Sequence, residues 1–64
     1  MARKIYSVWL EDSDEAVDNY LDSIEEAMEV CEDLRWQGYD STIEEVDAKT
    51  GETLAWDDAD GNEI

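Results

Sequence analysis

Residues 23–38 have the sequence SIEEAMEVCEDLRWQG, and they decide how the rest of the chain is interpreted. Ser23 and Glu26 have the spacing of a capping box, in which the hydroxyl accepts a hydrogen bond from the backbone N–H three residues later. Gly38 suits the left-handed cap that ends many helices. Apolar residues between these caps recur at helical spacing and form one stripe of Ile24, Ala27, Met28, Cys31 and Leu34. The segment therefore predicts an amphipathic helix over residues 23–37.

Two strands are predicted before this helix. Residues 4–11, KIYSVWLE, are rich in β-branched and aromatic side chains, and the alternate residues Tyr6, Val8 and Leu10 share one face. Residues 16–21 form a weaker strand, in which Val17 and Leu21 share one face. The polar residues between these two segments suit a turn, so we expect a β-hairpin.

Two further strands are predicted after the helix, over residues 39–47 and 52–57. Ile43 and Val46 fall on opposite faces of a regular strand, which indicates a bulge near residues 44–45. The order is therefore ββαββ, or βαββ if the second strand does not form. It predicts an α+β fold in which one helix packs across one face of an antiparallel three- or four-stranded sheet.

The chain, residues 1–64, is interpreted as a single small domain, and residues 58–64 as a flexible acidic tail. This tail shares Asp and Gly positions with the start of a calcium-binding loop, but Trp56 would stand where the first ligand belongs. The sequence has no His and one Cys, which lies on the apolar stripe and is expected to pack in the core. We therefore expect no metal site and no cofactor.

The charge balance limits the choice of partner. The chain has 20 Asp and Glu against 4 Lys and Arg, a formal net charge of −16 at pH 7. Phosphate contacts require a basic surface, so we expect no direct binding of nucleic acid and no binding to anionic membranes. The partner is expected to be basic.

Catalysis is not expected from this sequence. It has no His to activate a nucleophile and no glycine-rich phosphate loop, and no single pair of carboxylates stands out as an acid–base couple. Residues 1–4 include two basic residues, but no apolar core of a signal peptide follows them, so a cytoplasmic location is expected.

The predicted helix is the first candidate for a binding surface. Its side opposite the apolar stripe carries carboxylates spaced by roughly 5–6 Å, together with an aromatic residue that could anchor a partner; this set is Glu25, Glu26, Glu29, Glu32, Asp33 and Trp36. The alternative for Trp36 is an early end of the helix, with the ring folded under the sheet edge. Second candidates in the predicted hairpin turn are Asp12, Asp14 and Glu15.

The whole molecule has a charge comparable to that of DNA. A compact chain of this length has a radius of gyration near 11 Å, and thus a diameter of roughly 28 Å. A duplex of that length carries about sixteen charges, which matches the net charge of −16. A protein that grips phosphates would be attracted to such a molecule. The alternative is a halophilic acidic domain, whose charge is an adaptation to high salt.

The chain resembles small acidic proteins encoded by phages and mobile elements. The resemblance rests on the aromatic first strand at residues 5–10, the helix start at residues 22–27, residues 38–40 and the hairpin at residues 50–52. Such proteins include DNA mimics, among them anti-CRISPR and anti-restriction proteins. The resemblance implies an inhibitor in the host cytoplasm, with anti-CRISPR activity as the best single choice. Its partner would be the basic groove of a DNA-binding protein, such as a CRISPR surveillance complex or a nuclease.

A different class of function uses the sheet instead of the helix. One helix covers only one face of the predicted sheet, and the other face would carry some of Ile5, Trp9, Tyr20 and Tyr39. An open aromatic face of this kind is typical of an interaction site. The alternative is therefore a protein-interaction module or an antitoxin-like regulator that binds through this face, with its charge serving solubility.

Overall fold

Residues 3–64 are described by a computed structural model. Its elements are β1 (Lys4–Leu10), β2 (Ala16–Leu21), α1 (Ile24–Trp36), β3 (Ser41–Asp47) and β4 (Thr53–Asp57). The four strands form one antiparallel sheet in the order β2-β1-β3-β4, and α1 packs on one of its faces. The predicted α+β fold is confirmed in its four-stranded form. No helix within residues 3–64 is long and apolar enough to cross a membrane.

Helix α1 begins and ends where its sequence predicts. Ser23 Oγ accepts a hydrogen bond of 3.2 Å from the N–H of Glu26, and Glu26 Oε2 accepts one of 3.4 Å from the N–H of Asp22. At the other end Gly38 has a φ of 92°. The N–H that follows it donates to the carbonyl of Leu34 at 2.9 Å. This is the Schellman pattern, which stops the helix sharply and directs the chain into β3.

The core lies between α1 and the face of β1 that carries Val8. Val8 pairs with Ile43 of β3, so both side chains point at the helix. The buried cluster comprises Val8, Ala27, Cys31, Leu34 and Ile43, and around it pack Tyr6, Leu10, Leu21, Ile24, Met28, Val30 and Ala59. The whole predicted stripe of the helix is therefore in or against the core. Burial raises the pKa of the Cys31 thiol, which favours its neutral form.

The bulge predicted in β3 is wrong. Strand β3 pairs with β1 in an unbroken register along its whole length. Ile43 and Val46 lie on opposite faces because each is buried on its own side of the sheet. The irregularity lies in β4, where Leu54 is an extra residue opposite Glu45 and Val46. The odd spacing of Ile43 and Val46 thus means that β3 buries one apolar side chain on each face of the sheet.

Strand β2 has the predicted bounds but is irregular. Two register shifts against β1 each insert one extra residue into β2. Tyr20 lies within one of them, with a φ of 62° and 80% of its surface exposed. Val17 lies at the other and is half-exposed, whereas Leu21 packs against the core. The expectation that Val17 and Leu21 share one face is therefore wrong, because a bulge changes the alternation of side chains.

The C-terminal turn, residues 58–64, folds back beside β4. Asp58 Oδ1 accepts hydrogen bonds of 2.9 Å from two backbone N–H groups within the turn. An antiparallel bridge then joins Glu63 to Asp57. Ala59 packs against the core and Asp60 bonds to Arg35 of α1, so the turn lies on the helix side of the sheet. The flexibility expected for this segment stays a prediction.

Candidate protein-binding surface

The solvent side of α1 carries five exposed carboxylates. Glu25, Glu29 and Glu32 follow one another along the helix at spacings of three and four residues, while Glu26 and Asp33 lie to one side of this row. Among residues 3–64, none of the five lies within salt-bridge distance of a basic side chain. The predicted acidic face of the helix therefore exists as a row of unneutralised charges. The Glu26 carboxylate also accepts a hydrogen bond from the backbone N–H of Asp22, just before the helix begins.

Trp36 belongs to the same side of the helix and is 85% exposed. The helix continues through this residue, because the cap that follows holds the last turn. The alternative in which the ring folds under the sheet edge is therefore wrong. Because tryptophan is enriched at binding hot spots, the exposed ring of Trp36 is a candidate anchor for a partner.

An open groove of about 810 Å³ runs beside this row. One wall is the helix and the other is the C-terminal turn. Residues that line it are Glu25, Met28, Glu29, Glu32, Arg35, Trp36, Ala59 and Asp60. Its volume falls in the range of roughly 300–1,000 Å³ that is usual for ligand sites. The structure thus brings four of the predicted site residues to one concave surface.

Two contacts hold the walls of this groove together. Arg35 Nη2 donates to Asp60 Oδ1 at 3.1 Å across the gap between helix and turn. Gly61, with a φ of 83°, lies so close to Met28 that an added Cβ would stand 2.8 Å from the Met28 Sδ atom. A glycine at this position therefore lets the turn approach the helix.

Sequence reasoning missed the part of the groove that lies outside the acidic row. The sequence places Met28 in the core alone, and Ala59 and Asp60 in a flexible tail. The signal was present in Asp58 and Gly61, since Asp at the first and Gly at the fourth position favour a type I turn. What the sequence does not show is that this turn docks on α1.

The hairpin acids do not join this groove. Asp12, Asp14 and Glu15 are exposed in the turn between β1 and β2. Asp12 lines a separate, smaller depression of about 220 Å³ between that turn and the loop after α1. These second candidates therefore form a distinct acidic patch.

The open face of the sheet carries a pair of tryptophans. The rings of Trp9 and Trp56 meet edge to face, with centroids 6.3 Å apart and an interplanar angle of 62°. Trp9 Nε1 donates to Glu44 Oε1 at 2.9 Å, and the Thr53 hydroxyl donates to the other oxygen of Glu44. Neither Tyr20, at a bulge, nor Tyr39, in the loop after α1, lies in regular strand there. The open face is thus smaller and more polar than expected.

A second electrostatic feature lies under the C-terminal turn. Asp57 is 3% exposed, and its Oδ2 atom accepts no hydrogen bond within residues 3–64. Burial raises its pKa to about 6, with further contributions from the hydrogen bond and charge of Glu45 and the charges of Glu63 and Asp58. The hydrogen bond from Asp57 and the ammonium of Lys4, 3.1 Å away, lower the pKa of Glu45. When this carboxyl pair binds a proton, Asp57 therefore takes it before Glu45 does.

Within residues 3–64, no group of three or more Cys, Asp and Glu side chains is arranged to hold a metal ion. No protein family, curated protein or solved structure matches the chain.

Proposed function

We propose that this protein is a non-enzymatic inhibitor that mimics DNA and competes for the DNA site of a basic protein. Anti-CRISPR activity is its most specific form, with a surveillance complex or nuclease as target. The observation that carries the proposal is the row of exposed carboxylates on α1, none of which has a basic partner among residues 3–64. Like charges at this spacing cost an isolated helix about 0.2–0.5 kcal/mol per pair. A surface that served only solubility could mix acidic and basic side chains and avoid this repulsion.

The charge density of the whole molecule supports the same proposal. The radius of gyration is 10.9 Å, as expected, but the molecule is elongated, with extents of 36 × 22 × 19 Å. A net charge of −16 over the 36 Å axis amounts to about one charge per 2.3 Å. Duplex DNA carries about one per 1.7 Å. The protein is therefore less densely charged than a duplex of its own length, although it remains in the same range.

The mechanism is electrostatic and steric competition. Carboxylates of α1 would meet the Lys and Arg side chains with which a DNA-binding protein holds phosphates. Because many ion contacts form together, affinity should fall steeply as salt is added. The hairpin patch of Asp12, Asp14 and Glu15 extends the acidic surface at the end of the molecule where α1 ends.

The test is a capture experiment on the full chain. Proteins from a lysate are bound to the immobilised chain at low salt, and short duplex DNA is then used to elute them. We expect a DNA-binding protein to be released by DNA. A captured protein that DNA does not release would contradict the proposal.

Variants with matched charge identify the surface. Glu29→Lys with Glu32→Lys reverses two charges of the helix row, and Glu11→Lys with Glu52→Lys reverses two exposed charges outside it. Neither Glu11 nor Glu52 makes a side-chain hydrogen bond within residues 3–64. We expect the helix variant to lose capture and the control to retain it. Because Glu11 borders the hairpin patch, equal losses would assign binding to net charge or to that patch, and not to the helix row.

The second candidate is an interaction module that binds through the open sheet face. The exposed edge of the Trp9–Trp56 pair favours it, since Trp56 is 41% exposed. Under this hypothesis Trp56→Ala would abolish capture, whereas the double reversal on the helix would not. The opposite pattern is expected from DNA mimicry.

A further inference from the structure

The groove between α1 and the C-terminal turn combines an apolar floor with an acidic rim. Met28 and Ala59 provide the floor, where both pack against the core. The Trp36 indole stands at the end of the helix and presents most of its surface to solvent. Carboxylates of the helix row and of Asp60 line the same space. An occupant must therefore satisfy both apolar contact and negative charge.

These two requirements exclude most ligand classes. An anionic group would meet the carboxylates at close range and be repelled. A neutral apolar group would cover the floor but leave carboxylates partly desolvated without partners, which is costly. A cation on an apolar stem meets both requirements, because the stem covers the floor while the charged end reaches the rim.

Arginine fits this groove better than lysine. Its planar guanidinium stacks on an indole and binds carboxylates through two parallel hydrogen bonds, whereas an ammonium is a strongly hydrated point charge. The chain itself already places one guanidinium against a carboxylate at this rim, where Arg35 Nη2 donates a single hydrogen bond to Asp60 Oδ1. With Glu25, Glu29 and Glu32 also present, the lining holds four carboxylates against that one guanidinium.

We propose that the groove receives an arginine side chain of the partner protein, with its guanidinium on the Trp36 ring and between the carboxylates of Glu29 and Glu32. This rests on the proposed function and names the contact by which the helix surface recognises its target. Trp36 is the anchor, and the helix row gives the charge.

The test uses a blocked peptide, Gly-Arg-Gly-Arg-Gly, added to the ¹⁵N-labelled full chain. The three tryptophans give three indole N–H signals in a two-dimensional NMR spectrum. We expect the Trp36 signal to move and saturate, while those of Trp9 and Trp56 stay in place. The lysine version of the peptide should bind about two- to fivefold more weakly.

Two variants keep the proposal falsifiable. Trp36→Ala should weaken binding of the arginine peptide by about two- to fivefold. Since this ring is exposed, the variant should keep the dispersed spectrum of a folded chain. Glu29→Gln with Glu32→Gln should weaken binding more than the charge-matched control Glu11→Gln with Glu52→Gln. Equal affinity for the two peptides, no effect of Trp36→Ala, or movement of the Trp9 and Trp56 signals instead would each overturn the proposal.

Its failure differs from failure of the proposed function. If the helix row competes with DNA but the groove shows no preference for arginine, DNA mimicry stands and this recognition contact falls. If the groove prefers arginine while captured proteins ignore DNA, the contact stands and mimicry falls.

Discussion

At the scale of single residues, the buried carboxyl of Asp57 makes the stability of the fold depend on pH. Its carboxyl is buried beside Glu45, and its pKa of about 6 lies above the 3.8 usual for aspartate. A carboxyl with a raised pKa in the folded state binds its proton more tightly when folded. Its stabilising contribution is therefore complete below about pH 4 and is lost as the pH rises through about 6. The carboxyl of Glu45 has a lowered pKa, so it changes the stability only at pH values below the range in which Asp57 titrates.

Asp57→Asn should remove the loss of stability at rising pH, because an amide stays neutral and can still donate a hydrogen bond to Glu45. Between about pH 5 and 7, the unfolding free energy of the unmodified chain should fall more steeply than that of the variant, by on the order of 1 kcal/mol. Urea unfolding across this range measures the difference. Glu52→Gln, which removes one exposed charge, is the control and should follow the unmodified chain. Parallel curves for Asp57→Asn and the unmodified chain would contradict the assignment.

At the scale of elements, the helix could be predicted from sequence and the details of the sheet could not. The caps of α1 at Ser23 and Gly38 depend on residues within a few positions, so local sequence contains them. The bulges of β2 and β4 depend on register with a neighbouring strand. The side chains of those segments do not show where an extra residue enters.

The groove follows the same division. Its acidic helix wall was predicted, since helical spacing alone places Glu25, Glu29 and Trp36 on one side. Its second wall was not, because the approach of Gly61 to Met28 and the bond between Arg35 and Asp60 join distant parts of the chain. Contacts of that range are decided by packing.

The bulge of β2 leads to a stability prediction. Tyr20 has a left-handed backbone, which glycine adopts without steric cost. Tyr20→Gly should therefore be more stable than Tyr20→Ala by about 0.5–1 kcal/mol. Thermal unfolding of the two variants measures this difference, and the alanine variant controls for loss of the exposed ring. A more stable alanine variant would show that the strain is absent.

At the scale of the whole molecule, the charge of −16 must be compatible with folding. The Debye length is about 30 Å at 0.01 M salt and about 3 Å at 1 M, so self-repulsion is strongest in dilute buffer. We expect the chain to stay folded at about 0.01 M salt, with a melting temperature that rises modestly as salt is added. Circular dichroism melts test this. A chain that is unfolded in dilute buffer would support the halophilic alternative.

Direct competition tests the central claim. A purified target from the capture experiment is loaded with fluorescent duplex DNA, and displacement by this chain is measured at several salt concentrations. We predict displacement that weakens steeply with salt, and a loss of about tenfold or more in affinity for the Glu29→Lys, Glu32→Lys variant but not for Glu11→Lys, Glu52→Lys. Binding of the chain and the duplex to the target at the same time, without displacement, would contradict DNA mimicry.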